Sequence, residues 1–196
     1  MSTTLESRWR PVLDAAATWT PPAVPTAVVV PHPDDESLST GGLIAHQRRA
    51  GLDVLVIAVT DGEASYPDVD GDLLSSLRRE EQDRALAQLG VDADQVVRLG
   101  LPDGSVARHE RELEVRLMAL LDDVGLVVAP WVHDHHTDHE AVGRAASRCA
   151  ANRNVALASS LFWAWHHCDT DTLAGQTMVS LALDEDLRRR RRDAIA

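Results

Sequence analysis

Two short segments carry most of the side chains able to do chemistry: Pro31-His32-Pro33-Asp34-Asp35-Glu36 and His133-Asp134-His135-His136-Thr137-Asp138-His139. The first sets one imidazole beside three carboxylates, and adjacent acids repel unless a cation compensates. The second packs four histidines into seven residues. His136 and His139 are three apart and face one side of a helix's first turn if that helix begins at Thr137 or Asp138. Three ligands of His and carboxylate type with an open position mark catalytic rather than structural zinc. Zinc lowers the pKa of its bound water from about 15.7 toward about 7 and polarises a carbonyl. A spare carboxylate can take the water's proton, and a spare histidine can stabilise an oxyanion or protonate a leaving nitrogen. Two histidines and one carboxylate also suit Fe(II), so Zn2+ is the first expectation and Fe2+ or Co2+ are compatible. The plainer alternatives are a polar loop with an aspartate N-cap for the first segment and a solvated turn for the second.

Elements must hold these residues in place, and the first, Thr26 to Pro31, is short, apolar and β-branched, the pattern of a strand buried on both faces. Alternation continues: a helix over 37–51, a strand over 52–60, a helix over 74–89 ended by Gly90, a strand over 95–99 and a helix over 108–122. A strand over 125–130, a helix over 138–151, a strand over 155–163, a last strand over 177–183 and a terminal helix from Asp184 complete it. Strands alternating with helices predict right-handed crossovers and a single Rossmann-like α/β domain over 26–196, its mainly parallel sheet covered by helices on both faces. Residues 1–25 read as an N-terminal extension, with Trp9 and Trp19 on a segment packed against the domain surface. Ligands of such folds lie beyond the carboxyl ends of the strands, where both segments fall. If the 26–31 and 125–130 strands are the central pair, the two segments meet.

Composition narrows the function. The formal net charge of -12 disfavours nucleic acid as a partner. No apolar run is long enough to span a bilayer. The first ten residues show no secretory pattern, so the expected address is the cytoplasm. All basic residues are arginine, which suggests a GC-rich bacterial genome. Arg188 to Arg192 follow Asp184-Glu185-Asp186, an order that suits the helix macrodipole better than it suits an anion-binding patch.

Pro31-His-Pro-Asp-Asp-Glu36 paired with His136-Thr-Asp-His139 resembles the double signature of the LmbE-like, or PIG-L, de-N-acetylase family. Thr60-Asp-Gly-Glu63, Leu77-Arg-Arg-Glu-Glu81 and Leu101-Pro-Asp-Gly104 are similar to its lesser landmarks. The resemblance runs from about Val28 to Leu183. It implies a metal-dependent deacetylase that removes an N-acetyl group from a small amino sugar or glycoside. It further implies His32, Asp35 and His139 as metal ligands, Asp34 as general base, and His136 as oxyanion stabiliser or general acid. Asp138 would orient or tune that pair, and Arg78 and Asp103 would touch substrate. Thr137 stands where the family often carries proline, His133 and His135 are additional histidines, and the family usually continues with a polar segment after the terminal helix. Trp163, Trp165, His166 and His167 fit either a sugar platform or the core. Rival functions are another metallohydrolase, for instance on a phosphoester, a non-catalytic nucleotide-binding Rossmann module, or a silent metal-binding homologue. The module reading lacks the Gly-rich turn that pyrophosphate binding needs after the first strand. A homo-oligomer is compatible with all of these.

Overall fold

The computed structural model describes residues 6–196, so the first five residues of the expected extension lie outside it. Five parallel strands form the central sheet: β2 (Thr26–Val30), β3 (Val54–Ala58), β4 (Val96–Arg98), β5 (Leu126–Pro130) and β6 (Ala156–Ser160). Their order is β4-β3-β2-β5-β6, which puts β2 and β5 side by side at the centre. The chain winds outward from β2 in one direction and then from β5 in the other, and a cleft opens at that reversal.

Side chains alternate across each strand, so one strand feeds two cores. Ala27 and Val29 of β2 join Leu113, Leu117, Val142 and Ala146 from α4 (Glu110–Leu120) and α5 (Thr137–Arg153) on one face. Val28 and Val30 join Ile44, Leu86, Leu89 and Leu187 from α2 (Gly41–Arg49), α3 (Gly71–Leu89) and α7 (Glu185–Ile195) on the other. All five residues of β2 and of β5 are buried, as the unbroken apolar runs require. Helix α5 rides unusually close to β5: a Cβ added at Gly143 would lie 2.4 Å from the Pro130 carbonyl oxygen. That closeness sets where the helix's first turn meets the strand's end.

The lead segment forms α1 (Glu6–Ala15), whose Trp9 is buried with Trp131, Ala164, Cys168 and Leu173. The expected last strand over 177–183 is not part of the main sheet. Only Val179–Ser180 is extended, as β7, pairing with β1 (Ala17–Thr18) in a separate two-stranded ribbon. The physical reason lies beyond it, where Leu181 and Leu183 turn into the second core, Leu183 so tightly that a Cβ on Gly42 would meet it at 2.7 Å. The strand expected to run to Trp163 also ends early, at Ser160, because Trp163 caps a short helix, α6 (Ala164–His167). Among the described residues, no helix is long and apolar enough to cross a membrane.

Candidate metal centre

Four loops converge beyond the carboxyl ends of β2, β3, β4 and β5. After β2, Pro31 to Asp35 leads into a π-helical turn, Glu36–Thr40, whose hydroxyls satisfy the widened backbone: Ser39 Oγ donates to Asp35 O (2.6 Å) and Thr40 Oγ1 to Glu36 O (2.8 Å). Such bulges recur at functional sites because they re-aim side chains. Asp34 has a φ of 111°, rarely adopted outside glycine. Strain of this kind costs about 1–3 kcal/mol and persists only where surrounding contacts enforce it. The buried Glu36 supplies one of them, accepting from Asp34 N at 3.4 Å and from Gln82 Nε2 at 2.9 Å. The next loop is tied in by Thr60 Oγ1, which donates to Pro31 O at 2.8 Å.

Helix α5 begins at Thr137 with His136 as its N-cap, the imidazole Nδ1 accepting from Asp138 N at 3.3 Å. Thr137 is therefore the first helical residue, a slot where proline is at home, which accounts for that substitution without loss. His136 and His139 do share one side of the first turn, their ring centroids 5.0 Å apart.

At the centre, Asp35 Oδ2 lies 3.2 Å from His32 Nδ1 and 3.3 Å from His139 Nε2. Ligand atoms of these three residues all lie within 4.8 Å of one another. His139 Nε2 is buried and makes no hydrogen bond, a polar atom aimed into the cluster. The far nitrogens are anchored by acids: His139 Nδ1 meets Asp134 Oδ2 at 2.9 Å, and His32 Nε2 meets Asp103 Oδ1 at 3.1 Å and Asp138 Oδ2 at 3.4 Å. A second cluster of ligand-type atoms, His32, His136 and Asp138, overlaps the first. Its carboxylate is already held by Gly104 N (2.8 Å) and Val106 N (3.1 Å), so the first cluster is the better cation cradle.

The electrostatics point the same way. Burial opposes a charge on His32, yet the carboxylates of Asp103, Asp138 and Asp35 outweigh it and push the imidazole up to about 11. Burial opposes charge on His139 too, and Asp134 and Asp35 carry it up to about 9. Burial would raise Asp35, but the imidazoles of His139 and His32 beside it hold it well below the usual carboxylate range. Protons here occupy a position that the surroundings reserve for positive charge, and a divalent cation fits the donor set that would displace them. Asp34 goes the other way, to about 6, through burial and the charge of Asp35, with Arg78 opposing. His136 is held below its ordinary value by burial and by the charges of His32 and His139.

The remaining sequence-derived candidates fall close by. Arg78 donates to Pro33 O (2.6 Å), Asp34 Oδ2 (3.0 Å) and Gly62 O (3.3 Å), stitching the second loop to the first. It also edges a cavity of about 560 Å³ lined by Asp34, Glu81, Gln82 and Gln88. Asp103 is drawn inward to His32, its other oxygen accepting from Ala64 N at 3.0 Å. His133 and His135 are exposed and join neither cluster. Trp163 stacks with His136 (5.8 Å, 17°) and with His167 (5.7 Å, 14°), so its ring is engaged by two imidazoles.

Sequence reasoning assigned no role to Asp134 or to the Glu36–Gln82 pair. An acid five residues before a candidate ligand histidine was the available signal for Asp134, but nothing local says that it folds inward. Gln82 belongs to a helix far along the chain, and its approach to Glu36 is tertiary.

Residues 27–150 match the family described as PIG-L: GlcNAc-PI de-N-acetylase. A probable N-acetyl-alpha-D-glucosaminyl L-malate deacetylase 2 of Bacillus subtilis (strain 168) is 33% identical over 130 residues, 62% of this chain and 58% of its own length. Diacetylchitobiose deacetylase of Thermococcus kodakarensis is 31% identical over 120 residues, 59% of this chain and 45% of its own. The chain thus spans roughly half the length of these relatives. The crystal structure of N,N'-diacetylchitobiose deacetylase from Pyrococcus horikoshii shares the fold, with a TM-score of 0.61 at 22% identity, covering 98% of this chain and 72% of that one.

Proposed function

The chain belongs to the PIG-L de-N-acetylase family, and from that premise we propose that it hydrolyses the N-acetyl amide of an amino-sugar substrate, a small N-acetylated sugar or glycoside, with Zn2+ as its metal. The observation that carries this reading is the convergence of His32, Asp35 and the unpartnered His139 Nε2 with Asp34 in the adjoining position of the same loop. His32, Asp35 and His139 would hold the metal, which when bound supplies Lewis acidity at the carbonyl and acidifies water. Fe2+ and Co2+ are compatible with the same donors.

Asp34 takes the proton of the attacking water. Its carboxyl, raised to about 6, is still largely ionised at neutral pH yet basic enough to accept that proton. His136 is neutral, and because its Nδ1 accepts from Asp138 N, its Nε2 carries the hydrogen. That N–H serves the developing oxyanion, and the proton that Asp34 has taken from the water passes on to the departing amine nitrogen. Acetate and a free amine are the products. Asp138 orients this pair from two sides, through its backbone N–H to His136 and its carboxylate to His32. Arg78 stands at the cavity edge with polar neighbours, suited to a substrate hydroxyl once its contacts to the loop rearrange. Asp103 acts on substrate, in this reading, through His32. The cytoplasm is the compartment assumed.

The test is metal analysis of the purified protein, followed by a screen of N-acetylated sugars and glycosides for acetate release with and without chelator. Chelator-sensitive acetate release is expected. Phosphate release from phosphoesters with no acetate from any amide would overturn the proposal in favour of another metallohydrolase.

A further inference from the structure

The Asp134 carboxylate is fully buried and accepts four hydrogen bonds. Its Oδ1 accepts from Phe162 N (2.9 Å) and Ala164 N (3.0 Å); its Oδ2 accepts from Trp163 N (3.1 Å) and His139 Nδ1 (2.9 Å). Those three amides belong to one turn, which follows β6 and is separated from Asp134 by the whole of α5. That turn lays the Phe162 ring over the His139 imidazole (6.1 Å, 26°) and Trp163 over His136 (5.8 Å, 17°). One buried carboxylate therefore touches the candidate ligand histidine and the backbone that walls the second histidine.

We propose that Asp134 is a positioning residue for the metal centre: it fixes His139 as the tautomer that presents Nε2 to the metal and locks the 162–164 turn against both imidazoles. The proposal rests on the zinc reading given above. A carboxylate has no hydrogen to donate, so the hydrogen in the His139 contact sits on Nδ1, and Nε2 is the nitrogen whose lone pair is offered to the metal once any proton there is displaced. The turn supplies enough further donors that the carboxylate cannot rotate away without stranding buried amides.

Asp134→Asn tests this at one oxygen. The amide can keep Oδ1 facing Phe162 and Ala164, while the nitrogen replacing Oδ2 now donates where His139 Nδ1 used to and faces the Trp163 N–H, which loses its acceptor. The imidazole must then accept at Nδ1 and carry its hydrogen on Nε2, the wrong form for a ligand. The expected result is Zn2+ affinity, read by competition with a chromophoric chelator, lower by roughly 10–100-fold, as typical for such partners. An altered visible absorption spectrum of the Co2+-loaded protein is expected with it. Trp163→Ala, which leaves Asp134 and His139 in place, should bind Zn2+ as the unaltered chain does. If Asp134→Asn fails to fold, nitrogen-15 NMR of the unaltered Zn2+-loaded protein decides, with His139 expected to be protonated at Nδ1 and metallated at Nε2. Wild-type Zn2+ affinity in a folded Asp134→Asn protein, or metallation at Nδ1, overturns the proposal alone. An unaltered chain that takes up no Zn2+ overturns the zinc reading with it.

Discussion

Arg78 and Asp34, forty-four residues apart in sequence, meet with a guanidinium nitrogen 3.0 Å from a carboxylate oxygen. The pair joins helix α3 to the strained residue that follows β2, and it is the chief cationic contact of the proposed base. Burial and Asp35 raise Asp34 to about 6 while Arg78 pulls it down. Removing the guanidinium should move the acidic limb of the kcat/KM profile to higher pH, so that Arg78→Met loses more activity at pH 6 than at pH 8. An unshifted limb would separate Arg78 from the base.

Gly62 leads to the same contact by another route. Its φ is +70°, and an added Cβ would fall 2.2 Å from an Arg78 nitrogen. Gly62→Ala should therefore displace Arg78, and the double variant with Arg78→Met should be no worse than the more impaired single variant, because both act on one contact. Simple additivity of the two losses, measured as kcat/KM, would contradict the shared path.

Zinc binding should release protons. His32 and His139 are raised to about 11 and about 9, so both are charged at pH 7, while the depressed Asp35 is already ionised. Calorimetry in buffers of different ionisation enthalpy should find close to two protons displaced per Zn2+, and affinity should climb from pH 7 to 9. For the metal-free fold the sign is the reverse. A raised imidazole pKa contributes stability that is complete below the unfolded value near 6.5 and is lost as pH rises through about 9. Alkaline loss of stability that Zn2+ restores is the expected pattern, read by thermal unfolding.

Metal and chemistry should part company between neighbouring residues. Asp35→Ala should lose the metal by elemental analysis. His136→Ala should retain it while turnover falls by roughly 10²–10³, the usual cost of one oxyanion donor. Asp34→Asn should also retain it and lose about 10²–10⁴. Full occupancy in Asp35→Ala, or unchanged turnover in His136→Ala, would dismantle the role assignments.

Gly143→Ala probes the support beneath the site. Its Cβ would press on backbone, the Pro130 carbonyl oxygen at 2.4 Å, with no flexible side chain to yield. Overpacking of this kind costs about 1–3 kcal/mol, measurable by denaturant unfolding, and should loosen the helix start that carries His136 and His139. A protein as stable as the unaltered one would mean that α5 can shift freely.

Much of this was legible in the chain. Unbroken apolar runs such as Ala27 to Val30 can be satisfied only by burial on both faces, and alternation with helices then forces a parallel sheet with its loops gathered at one edge. The residue types in 31–36 and 133–139 pointed to a candidate cation site, because a cation can compensate acids and imidazoles so dense.

What the sequence could not hold is which side chains face each other across loops far apart in the chain. Asp103 pairs with His32; Asp134, given no role, becomes the anchor of His139; the Trp163 ring stacks with two imidazoles; and the 177–183 run gives Leu181 and Leu183 to the core instead of adding a strand to the main sheet. Local pattern encodes an element's periodicity and chemistry. The partner of a buried polar atom is chosen only when the elements pack, since an unpaired one costs too much to keep.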